Sequence, residues 1–362
     1  MPSLPPPTPL APDVAAAESD LLRQLRPGRI VWPVLIGLGV VGVLFWRSYT
    51  PGSLAPLANA KWQWLLITLL VLWARDLGYI YRIRHIAAKG ELSWGQAFGV
   101  IAMWEFASCV LPSAAGGTAA APAILAKEGI PLGKSLAYII VTALLDNLYY
   151  VVMVPLVVWL AGKALYPKSL DSAFLETLRV IFVVSYVAVT AYACLLLYAL
   201  FVNPISVRRL LVRVSSVRAL RRFRRTAYRH GQEMVLASAQ LRGAGALYWW
   251  RASLSTLFVW TARYAVIGCL IAAFVPMSGH EFLFIFARNI TYKVVLLLAI
   301  TPGGSGIAEG AFPVFFGRFI GTAAMTSFIV LLYRIVTYYF YLLVGLVYLP
   351  RWAGRRRSRP QA

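Results

Sequence analysis

The chain has 362 residues, 60% of them hydrophobic and 13% charged, with a mean hydropathy of +0.71 and a formal net charge of +22. A soluble domain carries roughly 25% charged residues, so this composition excludes a soluble enzyme and points to a polytopic membrane protein. The 35 Lys and Arg against 13 Asp and Glu fit cytoplasmic loops enriched in bases better than nucleic-acid binding, which we exclude. Cys109, Cys194 and Cys269 each lie in an apolar run and are odd in number, which gives neither a disulfide framework nor a metal spacing. His85, His230 and His280 sit at segment ends, so no metal or cofactor is expected.

In chain order, residues 1–28 are rich in Pro and Ala and are predicted to be a disordered cytoplasmic lead-in. The apolar run at 30–46 follows Arg23, Arg26 and Arg29. Ala58-Asn59-Ala60 resembles a signal-peptidase site but lies too far beyond that run, which therefore reads as an uncleaved anchor. Further spans of about 20 residues are predicted at 61–82, 135–160, 174–202, 247–275 and 322–349, making six.

Two more apolar stretches, 94–126 and 282–316, are broken midway by Pro and small residues. The first break holds Pro112, Gly116 and Gly117; the second holds Pro302, Gly303, Gly304 and Gly306. Pro removes a helical hydrogen bond and clustered Gly weakens what remains. Between 202 and 246 lie ten arginines, so that loop belongs in the cytoplasm. Treating both stretches as re-entrant hairpins places 23 bases inside, five outside and seven within spans or hairpins. Two full crossings flanking each break give the same sidedness.

The predicted fold is thus all-α, with about six spanning helices and two oppositely oriented re-entrant hairpins. Residues 61–160 and 246–349 form two inverted repeats around a basic cytoplasmic loop at 203–245. All lie in one transmembrane domain, 29–349, followed by a basic cytoplasmic tail at 350–362. At an offset of 190 residues Pro112 pairs with Pro302, Gly116 with Gly306 and Ala121 with Ala311. Inverted repeats with broken helices place substrate sites near the midplane.

At 1.5 Å per helical residue, Glu105, Asp146 and Arg334 fall roughly 15–18 Å into their segments, near the middle of a core about 30 Å thick. Lys293 is expected at similar depth, Glu309 just past the second tip, and Arg288 one to two turns shallower. Each ionised group at the centre costs at least about 2.5–3.5 kcal/mol, so three acids and three bases should meet in one polar centre. Arg75 and Arg263 are expected nearer the membrane faces, where a headgroup would enter or leave. Against this stands a purely structural ion-pair network, with the glycines serving close packing and the terminal aromatics forming interface belts. The Arg-rich loop has the pattern of an amphipathic helix on the anionic inner leaflet, or of a topology determinant alone.

Gly303-Gly304-Ser305-Gly306 matches the Gly-x-Ser-Gly of rhomboid-type proteases, but no histidine follows it, so the base is missing. No phosphate-binding Gly-x-x-x-x-Gly-Lys-Ser/Thr loop is present. The chain is expected not to be an enzyme.

The run Trp104-Glu105-Phe106-Ala107-Ser108 to Pro112-Ser113-Ala114-Ala115-Gly116-Gly117-Thr118, then Leu145-Asp146, Thr301-Pro302-Gly303-Gly304-Ser305-Gly306-Ile307-Ala308-Glu309 and Tyr333-Arg334, resembles the lysylphosphatidylglycerol synthase transmembrane-region family. That family includes the flippase-like membrane domain of multiple peptide resistance factor. The resemblance implies a multi-pass protein of the bacterial inner membrane, both termini cytoplasmic, that moves a phospholipid or polyprenyl-linked lipid between leaflets. It also implies that Glu105, Asp146, Glu309 and Arg334 line the path. The synthase activity of the family lies in a separate soluble domain, so aminoacyl transfer is not expected here. Two other readings stand beside it: an ion-coupled carrier of a small solute, and an accessory protein for an envelope-synthesis enzyme.

Overall fold

The structure is a computed structural model that describes residues 27–52, 55–111, 116–162, 172–203, 243–297 and 301–354, with isolated positions between 205 and 242. The predicted lead-in before residue 27, the first break with Pro112, most of the basic loop and the tail beyond 354 lie outside the described residues. Among the described residues there are eleven α-helices and no strand. Helix α1 spans Pro27–Ser48, α2 Trp62–Ile86, α3 Trp94–Val110, α4 Gly116–Lys127, α5 Leu132–Ala161 and α6 Ser172–Leu197. In the second half α7 spans Ala246–Ala272, α8 Gly279–Leu297, α9 Ile307–Ile320, α10 Ala323–Arg334 and α11 Phe340–Gly354. A π-helical turn, Ile335–Tyr339, joins α10 to α11, so these form one long rod.

Among the described residues five helices are long and apolar enough to cross a membrane: α2, α5, α6 with its π-helical extension, α7, and the α10–α11 rod. The sixth predicted span corresponds to α1, whose apolar portion, Val34–Ser48, is shorter. Helix α1 packs on α9 and α10, so it covers the second half.

The centre of the molecule is the pair α2 and α7, which pack along much of their length. Gly78 makes this possible, since a Cβ there would stand 2.6 Å from a Val259 methyl. The two helices run antiparallel. At one end the Lys61 amide donates to the Ala273 carbonyl at 2.8 Å, and at the other the Tyr248 hydroxyl donates to the Ile86 carbonyl at 3.1 Å.

Both broken segments double back. Ser93 and Gln96 form a reciprocal cap that starts α3, and the Gln96 amide reaches the Glu128 carbonyl just after α4. At the other end of this pair, a Cβ on Gly117 would overlap Ser108. In the second segment Tyr292 of α8 donates to the Ala308 carbonyl of α9, and Arg288, one turn earlier, donates to Phe315, two turns later. The pairings α2 with α3, α3 with α4 and α4 with α5 recur as α7 with α8, α8 with α9 and α9 with α10.

Candidate functional site

Between these elements lies a cavity of about 390 Å³, walled by α2 to α8 and the Pro302–Gly304 turn. Both broken segments therefore contribute: Glu105, Ser108 and Thr118 from the first, Lys293, Thr301, Gly303 and Gly304 from the second. Asp146 of α5 and Arg263 of α7 complete the predicted residues that line it.

Each acid in the wall is neutralised from α2 or α7. Glu105 lies between two guanidinium groups, 3.4 Å from Arg263 and 3.8 Å from Arg75. Arg75 is only 1% exposed and also binds Asp76 at 2.7 Å and the Tyr341 hydroxyl. Arg75 and Arg263, expected toward the ends of their spans, are both brought to Glu105. They fall on the middle turns of α2 and α7, where Glu105 repays their burial. Asp146 pairs with Arg82 and accepts from the Trp260 indole at 2.6 Å.

Arg82, the last residue of the predicted 61–82 span, is 3% exposed inside α2 and lines the cavity. Helix α2 runs one turn beyond the predicted span and carries it inward. Arg75, Tyr79 and Arg82 follow i, i+4, i+7 spacing, which puts them on one helix face. On α7, Thr256, Trp260 and Arg263 repeat that spacing, and Arg82 bonds Thr256 at 3.3 Å while Arg263 bonds the Tyr79 hydroxyl at 3.0 Å. Tyr79, Trp260 and Tyr150, which also line the cavity, were absent from the sequence-based set because aromatic residues are common throughout the spans. The spacing along α2 and α7 is the signal that finds them.

Glu309 and Arg334 form a separate centre rather than joining the first. Arg334 Nε stands 2.7 Å from Glu309 Oε1, and both residues are almost fully buried. The other Glu309 oxygen accepts the Gly306 amide at 2.7 Å, capping α9. Arg334 also donates to the Gly303 carbonyl and the Ser305 hydroxyl, at 3.1 and 3.0 Å, with its guanidinium 4.0 Å over the Tyr338 ring. The second tip is thus the partition between the cavity and this pair, with Gly303 touching both. Arg288 lies in neither centre. It is fully buried against the Phe315 carbonyl and the Phe319 ring, where it joins α8 to α9. The predicted single meeting point of six charges is replaced by two centres and this outlying base, because the pairing that satisfies each charge is local to a helix contact.

A polytopic helical membrane protein whose broken segments enclose a charged internal cavity is the class that this fold and site define. The chain belongs to the family described as the lysylphosphatidylglycerol synthase TM region, whose model matches residues 30–345. It is also similar to a UPF0104 membrane protein of Archaeoglobus fulgidus, 24% identical over 337 residues, which cover 87% of this chain and 94% of that one.

Proposed function

We propose that this protein carries a membrane lipid between leaflets, its headgroup passing through the charged cavity as the two broken segments alternate exposure. The observation that carries this reading is the cavity wall, in which both segments meet beside paired charges. Helix α6 forms its outermost side with Phe182, Ser185 and Tyr186, while most of that helix remains exposed. A single thin wall of this kind suits lateral entry of a lipid. The bilayer in question is the bacterial inner membrane, with both termini in the cytoplasm, since Arg84, Lys89, Lys127, Lys134 and Arg351 cluster where bases are retained inside.

The chain acts as a carrier rather than a catalyst. The hydroxyls of Ser108, Thr142 and Thr301 in the wall each donate to a nearby backbone carbonyl, which suits a lining that binds rather than reacts.

The broken segments act as re-entrant hairpins of an inverted repeat. At 1.5 Å per residue α4 and α9 are about 18 and 21 Å long, short of a core about 30 Å thick. Three charged positions recur at a constant spacing of 188 residues: Arg75 with Arg263, Glu105 with Lys293, and Asp146 with Arg334. The equivalent helices α2 and α7 are antiparallel, as inversion requires.

Reconstitution in liposomes that carry fluorescent phospholipid in both leaflets tests the function. Quencher added outside should reach lipid beyond the outer leaflet, and faster than in empty vesicles. Equal accessibility in both, for phospholipids and for polyprenyl lipids alike, would overturn the reading.

A further inference from the structure

The cavity charges do not cancel. Glu105 is matched by Arg263 with Arg75 behind it, and Asp146 by Arg82. Lys293, which lines the same cavity, makes no ion pair or hydrogen bond among the described residues. The wall thus carries Arg82, Arg263 and Lys293 against Glu105 and Asp146, an excess of one positive charge. The acid that acts on the Lys293 ammonium, Glu105, is already shared by Arg263 and Arg75; an ammonium withdrawn from water without a counter-charge of its own is costly, and a bound anion offsets that cost.

The two halves differ at one further point. The first turn of α9 holds Glu309, whose carboxylate caps the helix and is held by Arg334. Helix α4, its counterpart, has no acidic residue in its first turn, and Thr118 of that turn lines the cavity. A helix start favours negative charge. In the second half the protein supplies that charge; in the first it faces a cavity that contains an unmatched lysine.

We propose that the cavity binds the phosphodiester of a lipid headgroup with a net charge of minus one, with the Lys293 ammonium and the Thr118 turn on the phosphate. This deepens the lipid-carrier reading and rests on it for the lipid. A zwitterionic headgroup would bring its own cation beside Arg82 and Arg263, so it is disfavoured.

Binding to the purified protein in detergent separates this from transport itself. Dihexanoylphosphatidylglycerol, dihexanoylphosphatidylcholine and inorganic phosphate are titrated against wild type, Lys293→Met and Lys293→Arg, followed by intrinsic tryptophan fluorescence. Wild type should prefer the anionic lipid roughly tenfold, as one charge-assisted contact allows. Lys293→Met should lose that preference and Lys293→Arg should keep it. Equal affinity of wild type for the two lipids, a preference that survives in Lys293→Met, or inorganic phosphate binding as tightly as the anionic lipid would each overturn the proposal. The wild-type comparison decides the matter even if a variant fails to fold. Anionic preference without translocation in vesicles would instead overturn the carrier reading and leave the site standing.

Discussion

Asp146 ties α5 to both central helices, because it accepts from Arg82 on α2 and from Trp260 on α7. Replacing it by Asn keeps an acceptor for the indole but leaves a guanidinium that is 3% exposed without a counter-charge. Asp146→Asn should therefore cost about 2 kcal/mol, as removal of one partner of a buried charge pair does, and lower the melting temperature measured in detergent. Arg82→Met alone should also destabilise, whereas the double variant should recover much of the loss. Additive losses in that cycle would show that the two residues act independently. The pair shows what sequence order conceals. A base at the end of an apolar run defaults to the loop, and its partner lies 64 residues away, so only the packing of α2 on α5 reveals it. Glu105, Asp146, Glu309 and Arg334 were legible as charges within apolar segments, and each makes an ion pair inside the helix packing. Which acid meets which base does not follow from depth.

At the scale of elements, the apolar runs became helices close to their expected places, and the Pro302 and Gly303 break became a single turn of 3₁₀ helix. What the run of residues hid is why glycine stands there. Gly303 has a φ of 58°, and a Cβ on it would lie 2.1 Å from the Tyr338 ring. Its carbonyl accepts from Arg334, so the strain would pass directly to the buried ion pair. Gly303→Ala should cost about 1–2 kcal/mol for the left-handed backbone alone, and more for the displacement of Tyr338. Gly310→Ala, in α9 with open space around it, should be neutral or slightly stabilising. Thermal unfolding of the two variants beside wild type checks the contrast, and equal melting temperatures would remove the special role of the turn. The π-helical turn that follows Arg334 had no sequence signal at all. It widens the rod where Tyr338 packs under the guanidinium, a tertiary effect.

The whole molecule is organised by the antiparallel pair α2 and α7. In the inverted repeat we propose, the matched positions exchange charge: Glu105 stands where Lys293 does, and Asp146 where Arg334 does. A comparison by residue type counts these as mismatches, although both members of each pair satisfy the same requirement for a polar group at depth. The arrangement predicts which loops share a side of the membrane. Lys89 and Pro131 flank α3 and α4, and the Glu91 carboxylate in the first loop binds Lys134 and the Tyr138 hydroxyl beyond the second, so both loops lie at one end. Lys61 and His280 belong to the opposite end, where the start of α2 meets the end of α7, and Thr322 opens the helix that follows α9. Single cysteines at these five exposed positions, in a background with Cys109, Cys194 and Cys269 replaced by Ser, can be labelled with a membrane-impermeant maleimide. In spheroplasts the reagent should reach positions 61, 280 and 322, and in inverted vesicles positions 89 and 131. Labelling of 89 and 131 from opposite sides would mean that α3 and α4 together cross the bilayer, and the re-entrant reading would fail. The same outcome at 280 and 322 would break the inversion while leaving the first hairpin intact, so each half of the arrangement stands or falls separately.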